Sequence, residues 1–311
     1  MSAAVGNAPV QFSPTSSQLD VAYSVCRHIA RSAARNFYYG FAILPRPKRN
    51  SLSAVYAFMR RCDDIADDNS LSFQERRNKL AEWLDTVHRA LAGYPIDDAL
   101  LLALADTQRR YHIPIGLLDQ LAYGTAADVE QDPSAPEPMG VLVPRYRTFD
   151  ELRQYCYGVA SVVGLVCIKI FGYRDPAAEP LAEHCGLAFQ LTNIIRDVKE
   201  DVAMGRVYFP EEDLVEFGLS PTDFTALNPG RLAPMLAKQA ERAREGYRAG
   251  EELIPLVNED SQPALWVLIT IYRRLLEKMA ARQFDVFSER VGVSVREKLT
   301  ILGKGYVKRL L

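Results

Sequence analysis

Two acidic ladders, 130 residues apart, each close an apolar helical run. The first is Asp63, Asp64, Asp67 and Asp68 in RRCDDIADD; the second is Asn193, Asp197 and Asp201 in NIIRDVKED. Members of the second set recur every four residues, which predicts three oxygen-bearing side chains along one face of a helix. In the first set Asp63 and Asp67 share a face, and Tyr56 and Arg60 continue that stripe backwards. Carboxylates one turn apart, with Cβ atoms about 5–6 Å from each other, repel unless a cation lies between them. Acid-rich helical stretches are most often solvated faces. Here the flanks argue otherwise, because LSAVYAFM before Asp63 and LAEHCGLAFQLT before Asn193 are apolar at most positions. Carboxylates at the end of a buried stripe are costly unless paired or metal-bound. Two such ladders facing across a cavity would hold several Mg²⁺ ions, a cation that takes a few carboxylates and completes its shell with phosphate oxygens. The pattern points to a metal-dependent enzyme acting on a diphosphate.

Helical periodicity runs through nearly all of the chain. It predicts helices over 19–35, 50–68, 72–92, 96–110, 114–128, 149–171, 177–202, 231–254, 262–288 and 294–309. Breakers fall between them at Leu44-Pro45-Arg46-Pro47, Gly93-Tyr94-Pro95, Ile113-Pro114, Asp175-Pro176 and Asn228-Pro229-Gly230. No run of alternating short strands, no internal repeat and no strand-linked G-x-G-x-x-G stands in the sequence, which excludes a Rossmann-type cofactor domain. The expected fold is all-α, one helical domain over 19–311 around a central cavity. Residues 1–18 carry neither a basic n-region nor an apolar h-region and read as a disordered lead-in. The basic run RPKRN at 46–50 reads as an exposed turn. The segment 130–146, EQDPSAPEPMGVLVPRY, holds four prolines and reads as a loop, either a lid or a tolerated insertion, with insertion favoured.

Composition narrows the class further. With 48% apolar and 24% charged residues this is an ordinary soluble globular chain, and a net charge of −2 gives no basis for nucleic-acid binding. Five cysteines at scattered positions form no C-x-x-C pair, as expected of reduced thiols in the cytoplasm. The most apolar stretch, 157–173, is seventeen residues long and contains Lys169, which suits a buried helix better than a membrane span. His28, His88, His112 and His184 form no ligand constellation, which counts against a metal phosphohydrolase.

Other residues carry chemistry around the ladders. Gly158, Ala160, Ser161 and Gly164 place small side chains within one helix, and each helical glycine costs about 1 kcal/mol relative to alanine. Either close helix packing or a slot for a slim apolar substrate would compensate. Tyr155 opens that helix and offers a ring face or a hydroxyl. Arg206 and Tyr208 follow Asp201 closely, with Gly205 allowing a turn; an arginine there would balance phosphate charge. Tyr272 and Arg290 taken alone read as a core tyrosine and a surface arginine.

Three blocks carry a family resemblance: RNFYYGFAILPRPKR…AVYAFMRRCDDIADD, YRTFDELRQYCYGVASVVG and GLAFQLTNIIRDVKEDVAMGRVYFP. Together they span most of residues 31–210, and the chain resembles the squalene/phytoene synthases, the head-to-head prenyltransferases. The resemblance implies the all-α isoprenoid-synthase fold. It implies Asp63, Asp64 and Asp67 as the first Mg²⁺-binding motif and Asn193, Asp197 and Asp201 as the second. It further implies Arg60, Arg196, Arg206, Tyr208 and Arg290 on the diphosphate side, Tyr155 and Tyr272 near the reacting carbons, and Gln190 lining the cavity. The implied reaction joins two prenyl diphosphates through a cyclopropyl intermediate. That intermediate is presqualene diphosphate for C15 donors or prephytoene diphosphate for C20 donors. Squalene then needs a hydride from NADPH, phytoene needs only proton loss, and some relatives stop at presqualene diphosphate.

Ala34 and Asn36 stand where the family often has serine, which puts those hydroxyl contacts in doubt. Donor length should depend on the far end of the cavity. Phe37 and Phe41 are bulky and favour a C15 tail; Ser53, one turn before Tyr56, is small and leaves room. The reading adopted is farnesyl diphosphate, with geranylgeranyl diphosphate and a phytoene product as the alternative. A terpene cyclase, a head-to-tail elongase and a non-catalytic partner protein that keeps the fold are the more distant readings. The last would have eroded metal ligands, yet all six positions are filled. A greasy product makes peripheral membrane contact plausible, although no anchor is visible.

Overall fold

The computed structural model describes residues 13–33, 35–68, 70–125, 144–225 and 228–310, the side chains of 33, 35–38, 125 and 308–310 excepted. Ala34, the side chains of Asn36 and Phe37, and the proline-rich segment up to residue 143 therefore lie outside what is described. The chain is helical: α1 (Ser16–Ala33), α2 (Arg35–Ile43), α3 (Arg46–Ala66), α4 (Phe73–Leu91), α5 (Ala99–Tyr111), α6 (Ile115–Thr125), α7 (Phe149–Cys156), α8 (Val162–Phe171), α9 (Ala178–Arg196), α10 (Val198–Ala203), α11 (Glu211–Glu216), α12 (Pro221–Thr225), α13 (Pro229–Leu253), α14 (Gln262–Ala281) and α15 (Val295–Leu310). Among the described residues only two isolated bridges, Pro144 with Val207 and Tyr173 with Val257, resemble strand pairing.

Several helix starts follow from local chemistry. Ser72 and Glu75 form a reciprocal capping box at α4. Asp98, Thr148 and Asn228 each accept a backbone N–H at the start of α5, α7 and α13. Thr15 and Gln18 bond each other ahead of α1, which begins inside the stretch expected as a lead-in. The basic run at 46–50 is not an exposed turn. It is the first turn of α3, with Pro47 tolerated there because the first helical N–H groups have no partner to lose. Lys48 is nearly buried and donates to the Phe171 carbonyl at 2.7 Å; Asn50 is buried and accepts from Arg27 at 2.8 Å.

The predicted helix over 149–171 is continuous but not uniform. Between α7 and α8, Tyr157–Ser161 forms a single π-helical turn. Such turns insert an extra residue into the ladder and re-aim the side chains around it. The whole run Phe149–Phe171 is long and apolar enough to cross a membrane. In this fold it is the central wall, with Val162, Val166, Ile168, Ile170 and Phe171 buried.

Close backbone contacts set the directions of the central helices. A Cβ at Gly186 of α9 would lie 2.6 Å from the Ser161 Cα, and one at Gly164 of α8 would lie 2.9 Å from the Ala182 carbonyl oxygen. Later residues of α9 thus meet earlier residues of the α7–α8 run, so the two are antiparallel. The Lys48 bond to Phe171 puts the start of α3 beside the end of α8, so these also run in opposite directions. It follows that α3 and α9 run the same way and release their C-terminal carboxylates at one end of the bundle.

Candidate active site

A cavity of about 1010 Å³ of empty space, open mouth included, lies between α2, α3, α8, α9, α13 and α14. Its wall is almost wholly apolar. Val55, Tyr56 and Met59 come from α3, Ala160 and Gly164 from the π-turn and α8, and Gly186, Phe189, Gln190 and Asn193 from α9. Phe41, Phe171 and Leu265 close the end remote from the carboxylates, at the start of α3. Ala160 and Gly164 therefore satisfy both readings of the small residues: Gly164 lets α9 approach, and the missing side chains leave the slot. Ser53 is not in the wall; it is buried on another face of α3 and donates to the Arg49 carbonyl at 2.8 Å. It does not widen the cavity.

The two polar clusters stand at the open end. Asp63 lies one turn beyond Met59, half-buried, and burial pushes its carboxyl up to about 7, opposed by Arg60 and reinforced by Asp67 and Asp64. Asp67 caps the C-terminus of α3, its N–H donating to the Asp63 carbonyl at 2.8 Å. Asp64 turns away from this pair. It forms an ion pair with Arg60 at 2.7 Å, and both line a separate depression with Val25, Ile29 and Trp83. Arg60 thus does not continue the stripe of Tyr56 and Asp63 into the cavity.

The second ladder is not one continuous helix. Helix α9 ends at Arg196, Asp197 takes φ −99 and ψ 11, and α10 resumes at Val198. The i→i+4 bonds survive the break, Asp197 N–H to Asn193 O and Asp201 N–H to Asp197 O, both at 2.9 Å, so the spacing of the three side chains is kept. Asn193 lines the cavity, and its Oδ1 is buried with no hydrogen-bond partner among the described residues. Asp197 is bridged by Arg196, its neighbour in sequence, and by Arg290 at 2.6 Å. Burial pushes Asp201 up to about 7, helped by Asp197 and Glu200 and opposed by Arg206 and Arg145.

Aromatic side chains flank the mouth. Tyr155 and Tyr208 stack at 5.4 Å, and Tyr146 completes the group at 5.6 Å from Tyr155. Tyr272 is buried and stacked on the cavity-lining Phe189 at 4.5 Å, near enough to Arg196 to act on its charge. Behind the mouth, fully buried Asp213 of α11 binds Lys238, Gln239 and Arg242 of α13. This pins down the segment that carries Arg206 and Tyr208. Arg145, Tyr146 and Phe189 were not singled out from sequence. Their only local signal is adjacency, since two lie two and three residues before the helix-capping Thr148 and one immediately precedes Gln190.

The donor set suits a hard divalent cation. Asp63 and Asp67 sit at the C-terminus of α3, where the helix dipole disfavours carboxylates. Two carboxyls are held near neutrality by burial, and one amide oxygen is unsatisfied. Among the described residues no group of three or more Asp, Glu, His or Cys side chains stands close enough together to hold a metal ion unaided. A Mg²⁺ ion here would complete its shell with water and phosphate oxygens, as that ion commonly does.

A sequence model described as squalene/phytoene synthase matches residues 30–297. A phytoene synthase of Mycobacterium bovis is 38% identical over 291 residues, covering 91% of this chain and 90% of that protein. A 15-cis-phytoene synthase of Synechococcus elongatus is 33% identical over 309 residues, covering 94% and 95%. Among solved structures, a ligand-bound dehydrosqualene synthase superposes with a TM-score of 0.80 at 27% identity, covering 94% of this chain and 97% of the other. A squalene synthase of Alicyclobacillus acidocaldarius gives 0.76 at 26% identity, covering 87% and 97%. With its helices wound around an apolar cavity and its polar clusters gathered at one end, the chain belongs to the squalene/phytoene synthase family of head-to-head prenyltransferases.

Proposed function

We propose that this enzyme condenses two molecules of farnesyl diphosphate head to head, through presqualene diphosphate, towards squalene. The observation that carries the C15 reading is the bulky closure of the cavity by Phe41 and Phe171 at the end remote from the carboxylates. An apolar tail lies along the small residues of α8 and α9, and its diphosphate stays at the mouth. Asp63 and Asp67 on one side, and Asn193, Asp197 and Asp201 on the other, would hold Mg²⁺. That ion supplies Lewis-acid stabilisation of the departing diphosphate. Arg196, Arg206 and Arg290 offer forked donors to the phosphate oxygens. Arg196 and Arg290 currently pair with Asp197, so substrate arrival re-partners them. The dry wall keeps water from an allylic cation, and the Tyr155 ring, stacked on Tyr208, would offer its face to the developing positive charge.

A second reading has its own support. The two curated relatives described above are named phytoene synthases, which favours a C20 donor. NADPH is the reductant this proposal needs if the reaction runs to squalene. The five unpaired cysteines fit a reducing, cytoplasmic setting. Incubation with Mg²⁺ and either farnesyl or geranylgeranyl diphosphate, with and without NADPH, followed by product mass analysis, tests all of this. Presqualene diphosphate, or squalene dependent on NADPH, supports the C15 reading. Phytoene from the C20 donor overturns it.

A further inference from the structure

The segment leading into α7 places an arginine at the mouth. Pro144 and Val207 lie side by side as a parallel bridge, and the Arg145 N–H donates to the Val207 carbonyl at 3.0 Å. This fixes residues 144–146 along 206–208. The half-buried Arg145 side chain lies over the Tyr208 ring, its guanidinium carbon 5.4 Å from the centroid. Tyr208 in turn stacks on Tyr155. The two strapped segments thus present Arg145 and Arg206 to the same carboxylate, Asp201, both near enough to act on its charge.

A guanidinium held over an aromatic face has lost part of its freedom before a ligand arrives, and its planar fork matches phosphate oxygens in pairs. The charge arrangement calls for cations on this side. Arg196 and Arg290 serve Asp197, whereas Arg145 and Arg206 stand by Asp201. A diphosphate entering the mouth adds negative charge beside Asp197, Glu200 and Asp201. We propose that Arg145 is a diphosphate-binding residue of this site, gripping the phosphate oxygens of a prenyl donor from the Asp201 side while Tyr208 holds its guanidinium in place. The proposal rests on the prenyl-diphosphate reading above and adds a residue to it.

The test uses the full chain and inorganic diphosphate with Mg²⁺ as the probe, titrated by calorimetry. Arg145→Gln and Arg145→Met both remove the charge, so one failing to fold leaves the other; Arg145→Lys restores charge without the fork. Loss of one charge-assisted contact should weaken diphosphate binding about tenfold. KM for the prenyl donor should rise by a similar factor, kcat should change less, and the Lys variant should fall between. The melting temperature should stay near that of the unsubstituted protein. Diphosphate affinity within twofold of the unsubstituted protein in a folded neutral variant overturns the proposal. A lowered melting temperature with unchanged affinity also overturns it and makes Arg145 only a brace. If the unsubstituted protein binds diphosphate but converts no prenyl donor, the condensation reading falls, and the variants' binding still decides on Arg145.

Discussion

Asp63 and Asp201 are the two carboxyls of the ladders that burial shifts furthest. Both are surrounded by protein, and burial raises each carboxyl to about 7. An ordinary aspartate titrates at about 3.9. The folded chain therefore holds these protons more tightly than the unfolded chain does. Without metal, this contribution favours the folded state at low pH and is lost as pH rises from about 4 towards 7. Melting temperatures recorded across that range should fall, and Asp63→Asn should flatten part of the slope. A slope unchanged in that variant would remove Asp63 as its source. Phe41 makes a second prediction at this scale. If it closes the blind end, Phe41→Ala should shift the C15/C20 rate ratio towards the longer donor. An unchanged ratio would show that Phe41 does not set tail length.

Helix contacts in this fold depend on missing side chains. The π-turn is packed against α6 so closely that a Cβ at Gly124 would lie 2.0 Å from the Gly158 carbonyl oxygen. Gly124→Ala must push backbone from backbone, because no flexible side chain is there to yield. Overpacking of this kind costs about 1–3 kcal/mol. The urea midpoint should fall accordingly, and turnover should fall with it, because the π-turn carries Ala160 into the cavity wall. A neutral Gly124→Ala would mean that α6 can move without disturbing the wall. The sequence marked Gly158 and Gly164 as unusual but left packing and substrate slot as alternatives. Gly164 serves both, against Ala182 of α9 and in the cavity wall, and the contacts that show it come from other helices.

For the molecule as a whole, the shared direction of α3 and α9 is what turns two acidic stretches into one site. Binding at the mouth should therefore stabilise the whole bundle. Ligand present at about a hundred times its dissociation constant adds about 2.7 kcal/mol. Set against an unfolding entropy of about 2.1 cal/mol/K per residue over the 311 residues of this chain, that corresponds to a rise of about 4 °C in melting temperature. Mg²⁺ and diphosphate together should produce a larger rise than the sum of either alone, since each completes the site for the other. Strictly additive shifts in thermal melting would count against a shared mouth.

The sequence by itself determined the helical class, the family blocks and the four-residue spacing within the ladders. The helices and the ladders rest on contacts within about four residues, which spacing encodes directly. The tertiary structure alone decided that Asp64 and Arg60 face a second depression, that Ser53 bonds Arg49, and that Tyr272 stacks on Phe189. It also decided that Arg145 meets Tyr208 and that the basic run at 46–50 opens α3, with Lys48 locked to Phe171. Each of these, apart from Ser53, depends on which neighbouring segment lies beside a given helix face. That choice is made by packing between residues far apart in the chain, and no local spacing records it.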